Sequence, residues 1–516
     1  MPFAIAQSAT DYLDLLDKLV EFVTSRSCTS VAINGGGTGY SVNDVLTVSG
    51  GTSTIAVELV VTSVSSGVID GVRISQSGAY TSLPTNPVSV TGDGGSGATF
   101  NLTFNTDNGW TVNRRTKEAV SAAVGTAGTG YSVSDQLTIV GGVDADTAAV
   151  FNVDSVGGSG EVTGVSLVTA GKYGETPAND AATTGGGGSD CELTVTYQNH
   201  TSTDFDVLLE GEGGGADEIF VGIRSFNVGS SFNWELMGAT GYNAANSYVT
   251  QPGRSPGNYE SGVEAEREGS YVPLDNSSIT YWIYVSGRRI MGAFKVGAST
   301  YTNMYLGWVN PFGTASDFPY PLVVAGCSSA RGRLFSSGDT GYSGMLDPIA
   351  DDFDANGPMS YRDPAGVWNQ IANSEGSGSG RNALDSFVCW PAGSPGTTGL
   401  AADDDIASTS IETLDLIPNT GGPGTATYFM KQSPESPNDI SLLWPTMLVR
   451  EGDGGSIPRD LHGELEGVFW TTADISGAPA TAASEDTFTD ENGDVYDVFQ
   501  NCNRTELFSY FALKRE

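Results

Sequence analysis

Basic residues are scarce in this chain. Against 61 Asp and Glu stand 23 Lys and Arg in 516 residues, a formal net charge of −38 and a pI near 4.1. A surface of that sign repels phosphate backbones, which argues against nucleic-acid binding driven by charge. It fits solubility at high local concentration or in a salty medium, with divalent-cation sites as the second reading.

Histidine is rarer still. With only His200 and His462, a Ser-His-Asp or Cys-His centre would need one of the two, and neither stands in a nucleophile-elbow or metal-ligand spacing. The five cysteines, Cys28, Cys191, Cys327, Cys389 and Cys502, lie far apart with no C-x-x-C pair, so neither a zinc site nor a disulfide framework is expected. No apolar run approaches the ~18 residues of a membrane span, so membrane insertion is not expected. Met1–Gln7 lacks the basic start of a secretory signal, which implies synthesis in the cytoplasm without a signal peptide.

Motifs for catalysis are also missing. A glycosidase needs two carboxylates, and among 61 acids any pair can be imagined, so that chemistry stays open without a motif to support it. The runs Gly185–Gly188 and Gly213–Gly215 follow no strand-to-helix pattern with a lysine, so they do not read as phosphate loops. Asp490-x-Asn492-Gly493-Asp494 lacks the later glutamate of a calcium loop and reads as a turn, and Asp403–Asp405 reads first as a solvated loop. The expectation is a non-enzyme with no cofactor and no metal.

What the chain does have is glycine, 69 residues of it, with only 16% charged residues. That balance suits many short strands joined by tight turns, a mainly β protein. Gly37-Thr38-Gly39-Tyr40-Ser41-Val42 returns as Gly128-Thr129-Gly130-Tyr131-Ser132-Val133. Asp44–Val48 is answered by Asp135–Ile139, Gly67–Val72 by Gly160–Val165, and Ser77-Gly78-Ala79-Tyr80 by Ala170-Gly171-Lys172-Tyr173. Matches in the same order identify a duplicated segment. Period-two alternation broken by glycine pairs predicts that each copy is a small β-sandwich or barrel of about six to eight strands. Tyr40, Tyr80, Tyr131 and Tyr173 recur at equivalent positions and are candidate carbohydrate-stacking residues; the competing reading packs their rings under glycine turns.

Elsewhere, Tyr12, Leu15, Leu16, Leu19, Val20 and Val23 form one apolar stripe and predict an amphipathic helix over Ser8–Thr24, capped by Thr10 or Ser8. Between the copies, Asn108–Lys117 carries a tryptophan and basic residues but no glycine cluster. This favours two insertions into a continuous framework over two beads joined by a flexible linker. Hairpins are predicted at 279–296 and 486–499, the latter turning at Asn492-Gly493.

The resulting expectation is a multi-domain, mainly β chain. A β-sandwich or barrel-like framework comprises 1–27, 106–119 and 200–337. Residues 28–105 and 120–199 are two small β-modules inserted in tandem, 338–425 is a loop-rich peripheral region, and 426–516 is a C-terminal β region closing the framework.

Ala9–Leu19 leading to Gly109-Trp110-Thr111-Val112 and Asp217–Arg224 resembles structural proteins of tailed-bacteriophage particles. So do Tyr281–Gly307 with Pro319-Tyr320-Pro321, and Phe508–Leu513. The glycine-rich GTGYS segments are similar to small β-domains that decorate phage tail, collar and fibre proteins. The resemblance covers about half the chain and carries no catalytic residues. It implies a virion component of the tail, baseplate or neck, with other virion proteins as partners and a homo-oligomer, a trimer preferred. The alternatives are an adhesin for host-surface glycans and, behind it, a polysaccharide depolymerase.

Overall fold

The computed structural model describes residues 1–143, 147–201, 205–212, 218–257, 269–328, 356–372, 387–390, 443–450, 460–471, 484–500 and 510–515. Strands dominate, arranged in several barrel-like sheets with a single α-helix among the described residues.

The stretch Ile279–Ser286 is apolar at nearly every position, and the structure gives the reason. It lies inside a seven-stranded sheet whose order is Phe3–Ala9, Ile279–Ser286, Arg289–Val296, Thr300–Trp308, Leu322–Ala325, Asn356–Arg362 and Trp368–Ala372. Successive side chains of a strand point to opposite faces, and here both faces are covered. Tyr281, Ile283 and Val285 enter one core and Trp282 and Tyr284 enter another. A strand buried on both sides has no polar face to show, so the alternation expected of a half-buried strand disappears. The predicted hairpin is present, with Ser286 opposite Arg289 across a two-residue turn.

The first of these cores is shared with a five-stranded sheet ordered Trp110–Arg115, Asp206–Gly211, Ile219–Val228, Ser231–Ala239 and Ser270–Leu274. Into it packs the helix Tyr12–Val23, burying Tyr12, Leu15, Leu16, Leu19, Val20, Phe22 and Val23. Each large apolar side chain so buried is worth about 1.5–3 kcal/mol relative to exposure. The indole Nε1 of Trp234 donates to Tyr12 O at 2.9 Å, tying sheet to helix. The second core is closed by the C-terminal sheet, through Leu448, Leu465, Val468, Phe499, Phe511 and Leu513.

Two expectations at the N-terminus need correction. Residues Phe3–Ala9 form a strand paired with Ile279–Ser286, so the helix begins at Tyr12 rather than Ser8. Its cap is Asp11, whose Oδ1 accepts from Leu13 N and Asp14 N at 2.9 Å each, while Asp14 Oδ2 accepts from Thr10 N at 2.8 Å. A carboxylate outcompetes the neighbouring hydroxyls because it accepts both orphan amides and lies at the positive end of the helix dipole.

Each copy of the duplicated segment builds its own antiparallel six-stranded sheet. In the first the order is Cys28–Thr38, Ser96–Phe104, Val88–Gly92, Val45–Val48, Glu58–Ser65 and Val68–Gln76, with a two-stranded pair Thr52–Ile55 and Ala79–Ser82 beside it. The second repeats that order with Lys117–Thr129, Ser189–Asn199, Ala181–Thr184, Gln136–Ile139, Val150–Val156 and Val162–Thr169. The strand Lys117–Thr129 begins three residues before the expected start at 120. Each sheet curls until its outer strands approach. Tyr40 N donates to Gly67 O, and Tyr131 N to Gly160 O, both at 3.0 Å. The cores correspond position by position: Leu46, Val48, Leu59, Val61, Phe100 and Leu102 against Leu137, Ile139, Phe151, Val153, Leu193 and Val195.

The region 338–425, expected to be loop-rich and peripheral, contributes the strands Asn356–Arg362, Trp368–Ala372 and Phe387–Trp390. The acidic triple Asp403–Asp405 lies outside the described residues.

Candidate functional site

The recurring tyrosines face inward. Tyr40 and Tyr131 are 5% exposed, Tyr80 1% and Tyr173 0%, so none offers a ring face to a sugar, and the carbohydrate-stacking assignment of these four is corrected. Their surroundings explain both the tyrosine and the glycines around it. A Cβ on Gly95 would lie 2.5 Å from the Tyr40 ring, and one on Gly188 2.5 Å from that of Tyr131. Tyr80 Oη accepts from Val57 N at 3.2 Å and Tyr173 Oη from Ala149 N at 2.6 Å. Edge-to-face partners match too, Phe104 for Tyr80 at 5.3 Å and Tyr197 for Tyr173 at 5.6 Å. Burial raises the Tyr173 hydroxyl above its ordinary pKa, with the Ala149 amide opposing. Bonded at the oxygen and packed at the face, these rings are the keystones of the two small cores.

What each copy exposes is the loop after its tyrosine. Val42 is 49% and Val133 55% exposed. The following Asn43 and Ser134 adopt the left-handed conformation with φ of 76° and 75°, which fixes the loop's direction. Asp44 Oδ2 accepts from Ser41 N at 2.8 Å, and Asp135 Oδ2 accepts from Ser132 N and Gly187 N at 3.0 Å each. Those amides, Gly187 first, hold the Asp135 carboxyl below the usual carboxylate range. Each copy therefore presents an exposed valine beside a locked carboxylate.

The ends of each copy are fastened where they leave it. Asn105 N donates to Ser27 O at 3.1 Å, and Asn108 N to Ser25 O at 2.9 Å. The buried Asn108 side chain donates to Phe22 O at 2.7 Å, at the end of the helix, and to Ser27 Oγ at 3.0 Å. At the second copy His200 N donates to Thr116 O at 2.9 Å, and Thr116 Oγ1 accepts from Asp206 N at 2.9 Å. His200 Nδ1 lies 2.8 Å from Glu118 Oε2, so this histidine serves the junction. His462 meets Tyr361 Oη at 3.1 Å.

The first copy also covers the outer side of strand Phe3–Ala9. Phe3 N donates to Ser77 Oγ at 3.2 Å, and Ile5 N to Gln76 Oε1 at 3.1 Å. Gln76 Nε2 returns a bond to Ile5 O at 3.1 Å and Ser77 N one to Phe3 O at 3.3 Å. An edge strand normally leaves such groups open to pairing with another chain; here they are filled.

A row of charge crosses the five-stranded sheet that sequence reading did not anticipate. In register stand Asp206 opposite Arg224, Arg224 opposite Glu235, and Glu235 opposite Tyr271. Arg114 Nε adds an ion pair to Asp206 Oδ1 at 3.3 Å, and Tyr271 Oη donates to Glu235 Oε1 at 3.2 Å. Directly opposed residues share a face, so the signs alternate along one line, with Asp206 and Glu235 buried and Arg224 half-buried between them. The row runs to the second copy, where Gly174 leaves no room for a Cβ beside the Arg114 guanidinium, and where Tyr242 Oη donates to Glu175. Alternation of acid and base at matching heights on successive strands was the available signal.

A second ionic cluster sits where the chain's last described strand meets the framework. Asp497 accepts from Tyr284 Oη at 2.7 Å, from Arg515 Nε at 2.7 Å and Nη2 at 2.6 Å, and from Thr487 Oγ1 at 2.8 Å. Burial first, then the Asp497 charge, raises the Tyr284 hydroxyl well above its ordinary pKa.

Asp490 occupies a turn, its Oδ1 accepting from Asn492 N and Asp494 N at 2.9 Å each. Among the described residues no group of three or more His, Cys, Asp or Glu is placed to hold a metal ion, and no helix is long and apolar enough to cross a membrane. The geometry thus amounts to two repeated exposed loops on firmly anchored β units. Comparison with protein-family models and with curated proteins gave no match to this chain.

Proposed function

We propose that the protein is a structural component of a tailed-phage virion, in the tail, baseplate or neck. In this reading the stacked sheets form a framework that docks to other virion proteins as a homo-oligomer, a trimer preferred. The two copies of the duplicated segment are modules inserted into that framework and projecting from it. The observation that carries the reading is the self-contained pairing of each copy: strands within 28–104 pair only among themselves, in a six-stranded sheet and a two-stranded pair, and strands within 117–199 in another six-stranded sheet, and the chain leaves each beside where it entered. Such units add reach and repeated contacts without rebuilding what bears them.

Two measurements test this. Light scattering of the purified chain should give a closed oligomer, and mass spectrometry of purified particles should find the protein in stoichiometric amount. A strictly monomeric chain absent from particles would sink the proposal.

The adhesin alternative retains one supporting observation, the paired exposed valines. If the modules touch the host, Val42→Asp with Val133→Asp lowers particle adsorption while leaving assembly intact. Unchanged adsorption would leave the modules with a purely architectural part.

A further inference from the structure

Arg73 is a cation held at a seam, on the strand Val68–Gln76 where the first copy meets the framework. Its Nη1 is buried and has no hydrogen-bond partner. Two residues on, at the bulge where register slips between Glu58 and Leu59, the Ser75 hydroxyl is also buried without a partner. Contacts cross the seam around them. Ile74 packs against the core containing Phe3, Gln76 and Ser77 bond to Ile5 and Phe3, and the Arg515 guanidinium lies 5.5 Å from the centre of the Phe3 ring.

The carboxylate in this neighbourhood is already committed. Asp497 receives four bonds, two on each oxygen, from Tyr284, Thr487 and Arg515, and four is about the number of lone-pair sites a carboxylate has. Two guanidiniums therefore share a site with one saturated acid. The imbalance is felt at Arg73, whose pKa is lowered by burial and then by Arg515, with Asp497 opposing. A guanidinium does not escape by losing its proton, and a buried donor or charge without a partner is costly. In a chain of net charge −38, a local excess of positive charge beside two orphan donors is an unusual feature.

We propose that this seam binds an oxyanion, whose oxygens accept from Arg73 Nη1 and Ser75 Oγ and which Arg515 holds electrostatically. The same chemistry is offered by a free ion such as phosphate and by a carboxylate. An occupant would join the first copy to the framework, because Arg73 and Ser75 belong to one and Arg515 to the other.

The test is calorimetric titration of the full chain with inorganic phosphate, and separately with acetate, at constant ionic strength, alongside thermal unfolding in the same series. Saturable binding with a rising unfolding midpoint is expected for the unmodified chain. In Arg73→Met the binding heat should vanish and the midpoint should follow only the general salting effect of phosphate. Ser75→Ala, a smaller change, should keep the fold and weaken binding severalfold. Binding of phosphate alone identifies a free tetrahedral ion as the occupant; binding of acetate as well identifies a carboxylate. Absence of binding by either anion, or identical binding by Arg73→Met, would overturn the proposal.

Discussion

Adding a methyl group at Gly95 and at Gly188 makes the same perturbation in both copies and so tests their packing twice. A Cβ at Gly95 would stand 2.4 Å from Thr38 O and 2.5 Å from Tyr40 Cδ2; at Gly188 the distances are 2.4 Å to Thr129 O and 2.5 Å to Tyr131 Cδ2. Carbon contacts settle near ~3.5–4 Å, so the overlap is about an ångström. Neither neighbour yields easily, because one is backbone and the other a buried ring. Overpacking of this kind costs about 1–3 kcal/mol, and the backbone contact puts these substitutions toward the upper end. Neither glycine has a positive φ, so steric overlap is isolated from backbone strain. Gly158 is the control, since a Cβ there meets nothing within 4 Å; Gly158→Ala should be neutral or stabilise by up to about 1 kcal/mol through the unfolded chain. Peptide-resolved hydrogen exchange reads the two copies separately. With a factor of ten for each ~1.4 kcal/mol, Gly95→Ala should speed exchange of the first copy's strands by about 5- to 150-fold and spare the second, and Gly188→Ala the reverse. Less than about 3-fold acceleration in both variants, or equal damage from Gly158→Ala, would refute the idea that the glycines serve the tyrosines.

Three further outcomes are expected. Asn108→Ala removes buried bonds to Phe22 O and Ser27 Oγ and should cost about 2–3 kcal/mol, seen as faster exchange at the helix C-terminus; protection unchanged there would refute the junction's importance. The Asp135 carboxyl, held low by the Gly187 and Ser132 amides, should titrate by carbon NMR below an ordinary aspartate. A depressed folded value places its contribution above the unfolded pKa and removes it as pH falls through the folded one, so the Ser132–Asp135 loop should loosen only in acid. Burial pushes the Cys28 thiol up to about 12, with the Ser30 backbone opposing; at pH ~8, well below that value, native Cys28 should resist iodoacetamide and the unfolded chain should not.

Much of the architecture was legible where local pattern and tertiary role coincide. The duplication announced two similar sheets because matched residues such as Leu46 and Leu137 fill matched cores. Gly287-Arg288 and Asn492-Gly493 announced their turns through chemistry that does not depend on distant packing. The strand Phe3–Ala9 was hidden because a bulge between Ala4 and Gln7, with Ala6 at φ 50°, breaks the alternation that marks a strand. Tyr40 and Tyr173 were ambiguous because a tyrosine among glycines looks the same whether glycine clears space for a sugar or for the ring itself. The row Asp206, Arg224 and Glu235 went unread because nothing local reports that a sheet's second face is also covered.

The fastening of residues 25–27 to 105–108 has a mechanical consequence. Tension applied along the chain from the helix to the strand Trp110–Arg115 arrives first at the bonds joining Ser25 to Asn108 and Ser27 to Asn105. Those bonds bridge the base of the first copy, so load crosses there and bypasses the strands beyond it. The folded sheet above is shunted from the force path, held in reserve as slack to be paid out only after the bridge has parted.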